Sequence, residues 1–296
     1  MFELLTQERW LLLLCAFIFG ALIGSFLNVV IYRLPLMMQR AWDEELAELN
    51  LEQAHAAGSG IVQSDDRVAR KRFNLVVPRS RCASCGHQIT ALENIPVVSW
   101  LALRGKCSAC GAGISARYPL VELATAMLFV ACAWTFGPTL QTFAAMLLCA
   151  ALVALTGIDL DTQLLPDQIT LPLLWIGLLL NLFGMFARLP DAVIGAAAGY
   201  MVLWSVYWLF KLLTGREGMG YGDFKLLGAL GAWFGWQALP MLLLLSSVVG
   251  AVVGIGILLV QRKGRNTAIA FGPYLAMAGL ITLFFGAQIQ SAFLAQ

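Results

Sequence analysis

Long apolar runs separated by short polar segments dominate this chain. The first run extends from Trp10 to Tyr32, and a polar segment follows from Arg33 to about Tyr118. Seven further runs follow, over Pro119–Phe136, Leu140–Gly157, Ile169–Ala187, Ala192–Leu213, Phe224–Leu239, Met241–Val260 and Ala268–Ala287. Because a membrane-spanning helix needs about 20 apolar residues, the pattern predicts an all-α polytopic membrane protein with about eight transmembrane helices.

The runs and the polar segment divide the chain into three predicted parts. Residues 1–32 form a first transmembrane helix, 33–118 a loop domain, and 119–296 a seven-helix transmembrane domain. Within the loop domain, Gln39–Ala57 is rich in Glu, Ala and Leu, which favours a solvated or interfacial helix. The run Phe224–Leu239 is short for a full crossing, and its Gly231, Gly235 and the following Pro240 predict a tilted or broken helix there.

Composition agrees with a membrane location. Hydrophobic residues make up 60% of the chain and charged residues 12%, whereas soluble domains carry about 25% charged residues. A soluble core has no room for so much apolar sequence, so membrane lipid is the expected partner. The net charge of +2 is too small to favour nucleic acid.

The positions of the basic residues predict how the chain is oriented. The polar segment, the loop around Gly215 and the loop near Gly264 hold every Lys and Arg except Arg9 and Arg188. With eight crossings these three loops lie on one side of the membrane, which the positive-inside rule assigns to the cytosol. Both termini are then expected on the opposite side, and the acidic loop Ile158–Gln168 lies on the cytosolic side.

Two Cys-x-x-Cys pairs in the loop domain predict a metal site. They are Cys82–Cys85 and Cys107–Cys110, and each is followed directly by a glycine that permits a tight turn. Two such pairs at this spacing are typical of a closed structural site, and four thiolates suit zinc. The alternative is a pair of free or redox-active dithiols, although a cytosolic location disfavours disulfides. His87 lies nearby, but four cysteines already complete a tetrahedral site.

Aspartates at the membrane edge suggest the chemistry. Asp159, Asp161 and Asp167 lie close together in sequence with no Lys or Arg among them, and Asp223 precedes an apolar run. Ionisable residues beside spanning segments are functional candidates by default. Gly220 and Gly222, just before Asp223, leave the backbone bare for close approach of another segment.

Two neighbouring carboxylates cannot both ionise readily, so they share a proton. One can then activate a water molecule while the other protonates a carbonyl or a leaving amine, as in aspartic proteases. Asp159 and Asp161 point about 200° apart on a helix, so only one of them can face Asp223. Helix geometry does not choose between them, and both Asp167 and Asp223 are also compatible with a helix-capping role.

Several motifs along nearly the whole chain carry a family resemblance. They are Gly24–Val30, Arg79–Cys85, Glu93–Pro96, Leu103–Cys107, Arg117–Glu122, Ile158–Asp161, Leu165–Asp167, Met219–Asp223 and Phe271–Tyr274. In these motifs the chain resembles the bacterial type IV prepilin peptidases, which are membrane aspartic proteases of the Gly-x-Gly-Asp class.

The resemblance implies roles that the spacing does not supply. It assigns catalysis to Asp159 and Asp223, with Gly220, Gly222, Asp161 and Asp167 in support. The implied substrates are prepilins and the pseudopilins of type II secretion, cut after a glycine at the cytosolic face of the bacterial inner membrane. Relatives with the four cysteines also methylate the new N-terminal residue, usually Phe, with S-adenosylmethionine.

The site for this methyl donor has no recognisable fingerprint. Glu93, Asn94 and Arg104 in the loop domain are candidates, and each is equally compatible with fixing the fold of the loop. Two other functions are consistent with parts of the pattern. One is a proton-coupled transporter, although only Glu122 lies within a predicted span, and the other is a zinc-organised scaffold for pilus or secretion assembly.

Overall fold

The computed structural model describes residues 9–56, 73–216, 218–261 and 270–294. These residues form nine α-helices and one short 3₁₀ helix, with two isolated β-bridges and no strand. The α-helices are α1 (Arg9–Ala56), α2 (Val98–Ala102), α3 (Arg117–Phe136), α4 (Leu140–Thr162), α5 (Asp167–Asn181), α6 (Leu189–Thr214), α7 (Tyr221–Phe234), α8 (Leu239–Gln261) and α9 (Gly272–Leu294). The all-α prediction is confirmed for the described residues.

Every predicted apolar run lies largely on one of these helices, but the helices differ in length. Within the described part of the chain, five segments are long and apolar enough to cross a membrane: Arg9–Asn50, Arg117–Phe136, Leu140–Thr162, Leu189–Thr214 and Trp236–Gly256. In α9 the apolar stretch is the shorter Gly272–Gly286. The helices α5 and α7 have 15 and 14 residues, which is about 22 Å against a hydrocarbon core of about 30 Å. The structure is therefore that of a multi-pass membrane protein with five helices of spanning length.

Helix α1 joins the first predicted span to the loop domain without a break. Its 48 residues run through Pro35 and extend for about 72 Å, far beyond the thickness of a bilayer. It includes the predicted solvated helix as far as Ala56. Arg33, which is almost completely buried, donates to the carbonyl oxygens of Asn74 (3.0 Å) and Leu75 (3.4 Å). The long helix therefore holds the segment that leads into the cysteine pairs.

Helix α7 is the centre of the second half of the molecule. Its residues from Asp223 to Trp233 are almost all buried, among them Phe224 and Trp233, and α5, α6 and α9 pack around it. On one side the glycines Gly195 and Gly231 bring the backbones of α6 and α7 into direct contact. The helix breaks at Gly235, which has a φ of 81°, as the pattern of glycine and proline predicts. Its short length fits an interior position, because it has protein rather than lipid around it.

Ion pairs and hydrogen bonds show which helix ends meet. Arg117 at the start of α3 pairs with Asp161 at the end of α4, and Lys225 at the start of α7 pairs with Asp167 at the start of α5. Gly272, at the start of α9, bonds to Asp159 near the end of α4. We call the side of the bundle that carries these five helix ends the site face.

The other side of the bundle carries the two basic residues that the charge pattern sets apart. Arg9 donates to the carbonyl oxygen of Trp134 near the end of α3, at 3.0 Å, and Arg188 pairs with Asp191 at the start of α6. Both therefore lie opposite Arg117 and Lys225, in agreement with the predicted division of charge. Other members of the basic set lie outside the described residues: Arg67, Arg70, Lys71, Arg72, Arg262, Lys263 and Arg265.

Candidate active site and metal centre

Asp159 lies in the last turn of α4 on the site face and is 4% exposed. Its Oδ2 accepts a hydrogen bond of 2.9 Å from the backbone N–H of Gly272. That N–H belongs to the first turn of α9, which lacks partners within its own helix and carries a partial positive charge. The start of α9 therefore holds the Asp159 carboxylate and favours its negative charge.

Asp223 lies in the first turn of α7 and is 6% exposed. Its backbone N–H donates to the carbonyl oxygen of Gly220 at 3.3 Å. The neighbouring Phe224 is completely buried and makes edge contacts with Tyr200 and Tyr207 of α6. This aromatic packing fixes the start of α7, and Asp223 with it.

Leu165, in the connection between α4 and α5, links the two aspartates. A Cβ atom on Gly222 would lie 2.6 Å from the Cβ of Leu165, and a Cβ on Gly272 would lie 3.1 Å from its Cδ2. One leucine side chain thus contacts the residue before Asp223 and the residue that binds Asp159. Through their common neighbour Leu165, the two buried aspartates lie on the same part of the site face. The glycine at 222 is needed because a side chain would clash with Leu165.

The other two acids of the same loop have cationic partners. Both carboxylate oxygens of Asp161 accept bonds from Nη1 of Arg117, at 2.6 and 2.7 Å, and Nη2 of Arg117 binds the carbonyl oxygen of Gly157. Both oxygens of Asp167 accept from Nζ of Lys225, at 2.6 and 2.7 Å. These two aspartates are partly exposed and neutralised. They tie α3 to α4 and α5 to α7 around the site.

The structure therefore distinguishes Asp159 from Asp161, which helix geometry leaves as equal candidates for the partner of Asp223. Asp159 is buried and lies beside Asp223, whereas Asp161 points to the partly exposed Arg117. Among the described residues, no ion pair includes Asp159 or Asp223. Two buried carboxylates without a cation share a proton more readily than they hold two charges, and this arrangement suits the activation of water.

The four cysteines of the loop domain come together as the spacing predicts. The Sγ atoms of Cys82, Cys85, Cys107 and Cys110 all lie within 4.8 Å of one another. A tetrahedral site with metal–sulfur bonds of about 2.3 Å separates its sulfurs by about 3.8 Å, and Cys82 and Cys110 are 3.8 Å apart. The donor set therefore fits one zinc ion.

Two equivalent turns build this cluster, and we call residues 79–116 around them the knuckle domain. In the first turn the N–H of Gly86 donates to the carbonyl of Cys82 at 3.0 Å, and in the second Gly111 donates to Cys107 at 2.9 Å. Both glycines have positive φ, 73° and 71°. Isolated bridges close the turns at Arg81–Gln88 and Lys106–Gly113. Backbone hydrogen bonds from Cys85 and then Ser84 lower the pKa of Cys82 to about 6, which favours the thiolate that binds metal.

Glu93 connects the two turns. Its Oε2 accepts from the backbone N–H and the hydroxyl of Thr90, at 2.8 and 2.9 Å, and its Oε1 accepts a short bond from Ser108 of the second turn. Nε2 of His87 lies 3.4 Å from both oxygens. The bond from Ser108, followed by those from Thr90, lowers the pKa of Glu93 to about 2. Both carboxylate oxygens of Glu93 are thus used within the domain.

The other two residues proposed to contact a methyl donor lie at the surface. Asn94 and Arg104 are both exposed. Arg104 has a φ of 52° and is followed by Gly105, whose φ is 68° and whose Cα faces the ring of Trp100.

Sequence reasoning missed three contributors to these sites. Gly272 was part of a motif without a role, although Gly272–Pro273 is typical of a helix start. Arg117 was counted as a basic residue and as the start of a family motif, but its pairing with Asp161 was not predicted. The third is a short repeat: the segments Arg81–Ile89 and Lys106–Ile114 have the same pattern of residues. This repeat predicts equivalent backbone hydrogen bonds, from Ile89 to Ser80 in the first turn and from Ile114 to Gly105 in the second.

The chain is similar to known proteins along nearly its whole length. Residues 18–136 match the Bacterial Peptidase A24 N-terminal domain, and residues 146–255 match the Type IV leader peptidase family. A relative from Aeromonas hydrophila is 59% identical over 287 residues, which cover 97% of this chain and 95% of the relative. Relatives from Stutzerimonas stutzeri and Pseudomonas aeruginosa are 56% and 53% identical, each over 99% of this chain and 97% of the relative.

All three relatives are named prepilin leader peptidase/N-methyltransferase. No solved structure matches the chain. The two matched regions divide the chain into the part that carries the cysteine cluster and the part that carries both buried aspartates. The chain belongs to the type IV leader peptidase family.

Proposed function

We propose that this chain is a bifunctional enzyme of the bacterial inner membrane. It cleaves the leader peptides of type IV prepilins and type II secretion pseudopilins after a glycine, and then N-methylates the new N-terminal residue with S-adenosylmethionine. The observation that carries the peptidase is the burial of Asp159 beside Asp223, with no cation on either carboxylate in the described structure. The shared name of the relatives supports both activities.

The hydrogen bond from Gly272 supports a division of labour between the aspartates. Asp159, held by the start of α9 at 2.9 Å, keeps the negative charge and takes a proton from the attacking water. Asp223 carries the shared proton and gives it to the oxygen of the scissile carbonyl as water attacks. Asp159 then passes the proton that it took from water to the leaving amine, and Asp223 recovers a proton from the tetrahedral diol as the C–N bond breaks. No covalent intermediate is needed, because water attacks the peptide directly.

The layout of the molecule fits a substrate that lies partly in the membrane. The eight apolar helices cross or enter the bilayer with the site face toward the cytosol and both termini in the periplasm. A basic leader then stays among the cytosolic loops, while the apolar helix of the prepilin remains in lipid beside the enzyme. The two aspartates at the helix ends meet the junction between them.

Methylation belongs to residues 33–118 in this proposal, and cleavage to residues 119–296. Zinc held by Cys82, Cys85, Cys107 and Cys110 supplies the fold of the knuckle domain rather than a reactive centre, because four thiolates leave no open position. Asn94 and Arg104 are exposed and available for the methyl donor, whereas Glu93 is committed to joining the two turns. Asp167 and Gly220 support the peptidase site without contacting the substrate.

A processing assay with a prepilin in membranes tests the peptidase. Asp159→Asn and Asp223→Asn should each lower cleavage by about 10²–10⁴-fold or more, the usual contribution of a general acid or base. Asp161→Asn is the matched control, because it removes a carboxylate from the same turn of α4 but leaves both buried aspartates in place. Loss of cleavage in Asp161→Asn alone, with Asp159→Asn active, would show that the catalytic pair is misassigned.

A further inference from the structure

The knuckle domain exposes a row of apolar side chains that the proposed chemistry does not use. Leu92, Ile95, Val98 and Leu101 are 77%, 42%, 60% and 62% exposed, and we call these four residues the apolar row. Val98 and Leu101 are three positions apart on α2 and so share one side of it. None of the residues of α2 is buried. A water-exposed domain of this size rarely presents so many neighbouring large apolar side chains without a partner.

A hydrogen bond fixes the position of the apolar row along the axis of the spanning helix α3. The backbone N–H of Val97, directly before α2, donates to Oε2 of Glu122 at 2.7 Å. Glu122 lies five residues, or about 8 Å, beyond Arg117 along α3. Val97 therefore lies beside the membrane-spanning part of α3, and not beyond the end of that helix.

The helix surfaces around Glu122 face lipid. Gly24 of α1 packs directly on the Cα of Glu122, so the two helices meet at this level. The side chains nearest in sequence that point away from this contact, Phe26 on α1 and Leu120 and Leu123 on α3, are exposed and apolar. In a spanning helix such residues contact lipid. The apolar row thus lies level with lipid-facing side chains.

The backbone conformation of Val97 shows that this arrangement is specified by contacts. Val97 has a φ of 60°, a region that β-branched residues rarely adopt and that persists only where surrounding structure imposes it. Its N–H is held by Glu122, which is itself buried. The start of α2 is therefore pinned in the orientation that turns Val98 outward.

The charges around the apolar row are basic. Arg104 and Lys106 lie within four residues of the end of α2, and both are exposed. The one acid inside the row, Glu93, turns its carboxylate toward Thr90 and Ser108. Apolar side chains flanked by Lys and Arg are typical of segments that lie in the interface of a membrane with anionic lipids.

We propose that the apolar row inserts into the lipid interface beside α1 and α3, with anionic phospholipid as its partner. The knuckle domain is then a peripheral part of the membrane body and not a free cytosolic loop. This inference does not depend on the proposed enzymatic activity, because it concerns only where the domain rests. If the proposed methylation is correct, the insertion keeps the domain at the level where the cleaved N-terminus leaves the site.

Photo-crosslinking of the full-length protein tests the proposal. p-Benzoylphenylalanine at Leu92 or Leu101 is compared with the same residue at Ser84 and Ala109, which are exposed at the tips of the two turns. The proteins are reconstituted in vesicles of phosphatidylethanolamine and phosphatidylglycerol, and covalent lipid adducts are counted by mass spectrometry. We expect several-fold more lipid adducts at positions 92 and 101 than at 84 and 109. The yield should fall in vesicles of phosphatidylcholine alone.

The other occupants of this surface are distinguishable outcomes. Lipid adducts at 92 and 101 no more frequent than at the turn tips overturn the proposal, as do crosslinks mainly to another part of the chain, to a second copy or to an added prepilin. An equal yield in both kinds of vesicle removes the role of anionic lipid. Each variant should retain its bound metal, which shows that the knuckle domain is folded. A second experiment places the probe at Ile95 in a protein that carries both Leu92→Glu and Leu101→Glu. These two charges should reduce crosslinking of the probe to lipid.

Discussion

The cysteine cluster is assembled by hydrogen bonds between near neighbours in sequence, such as Gly86 to Cys82, whereas the bond that holds Asp159 spans 113 positions. The first region is a pair of repeated turns joined by one carboxylate. The second needs α4, α7 and α9 to pack correctly before either aspartate has its surroundings. The two regions should therefore fail in different ways: the knuckle domain through loss of its metal or its turns, and the aspartate site through altered helix packing.

Loss of the metal should have the largest effect, and it tests whether the knuckle domain and the aspartate site function independently. Cys107→Ser removes a buried ligand, and structural zinc contributes about 10–16 kcal/mol of binding free energy to small zinc domains. We expect loss of bound metal and of methylation of a pre-cleaved pilin, with prepilin cleavage largely retained. Metal content, methyl incorporation from labelled S-adenosylmethionine, and cleavage on gels are the three measurements.

Cys15→Ser is the control for this change, because Cys15 is an exposed cysteine on α1 far from the cluster. If Cys107→Ser lost cleavage as completely as methylation, the two regions would be one functional unit and the comparison would break down.

A single methyl group at the start of α9 tests the opposite region. In Gly272→Ala the new Cβ would lie 2.6 Å from Oδ2 of Asp159, so the carboxylate must move. A displacement of about 1 Å at a reacting group costs about 10²-fold in rate. We expect kcat for cleavage to fall by about that factor with little change in KM, and methylation of a pre-cleaved pilin to be unaffected.

The matched control is Gly256→Ala on α8, where an added Cβ meets no atom within 4 Å. Equal losses in the two alanine variants, or a rise in KM alone for Gly272→Ala, would mean that Gly272 does not position Asp159.

Substitution of Glu93, the carboxylate that joins the two turns, should have a smaller effect on the retention of zinc. Glu93→Gln keeps the shape but weakens the bonds from Thr90 and Ser108, and we expect bound zinc to be released to a chelator several-fold faster. The folded domain depresses the pKa of Glu93 from an ordinary value near 4.5 to about 2. Its stabilising effect is therefore complete above about pH 4.5 and is lost only as the pH falls toward about 2.

In a His87→Gln background, which removes the imidazole 3.4 Å from this carboxylate, the difference between Glu93→Gln and Glu93 should consequently stay constant from about pH 5 to about pH 8. Release kinetics at several pH values measure it, with Glu48→Gln on the exposed part of α1 as control. A difference that changes steeply within that range would contradict the role assigned to this carboxylate.

The last comparison concerns two glycines of the second turn, and one of them has the smallest expected effect. Gly111 has a φ of 71° with open space around its Cα, so Gly111→Ala changes only backbone strain, at a cost of about 1–2 kcal/mol. Gly113→Ala, with equally open space and no positive φ, should be nearly neutral. Hydrogen exchange in the full-length protein would monitor the thermal unfolding of the knuckle domain in the two variants. Equal destabilisation by Gly111→Ala and Gly113→Ala would show that the positive φ of Gly111 is not the cause.

The same difference explains what the sequence predicted. The cysteine cluster was predictable because its spacing, its glycines and its turns are all local. The choice between Asp159 and Asp161 was not, because it depends on Arg117, which lies 44 positions away and binds Asp161. Without the family resemblance, helix geometry alone leaves both candidates open. Gly272 is likewise recognisable as a helix start, but its hydrogen-bond acceptor is set by packing.

Helix lengths were the least predictable part of the fold. Apolar side chains all around a helix have the same pattern whether the helix is surrounded by lipid or by protein, so the run on α5 resembles a full crossing. The helix α7 ends before Gly235, and its short length is tolerated because its neighbours bury it almost completely. In α1, Pro35 and the polar residues after it suggest an interruption, yet the structure continues as one helix to Ala56.

The burial of α7 bears on the membranes in which this protein can work. Helices that touch lipid tilt or shift when their apolar length does not match the thickness of the bilayer, at a modest cost per ångström. Asp223 lies on a helix enclosed by other helices of the same protein, which absorb such adjustments first. We therefore expect the position of this aspartate to vary little with the acyl-chain length of the surrounding lipid, so that growth conditions that thicken or thin the membrane leave its surroundings intact.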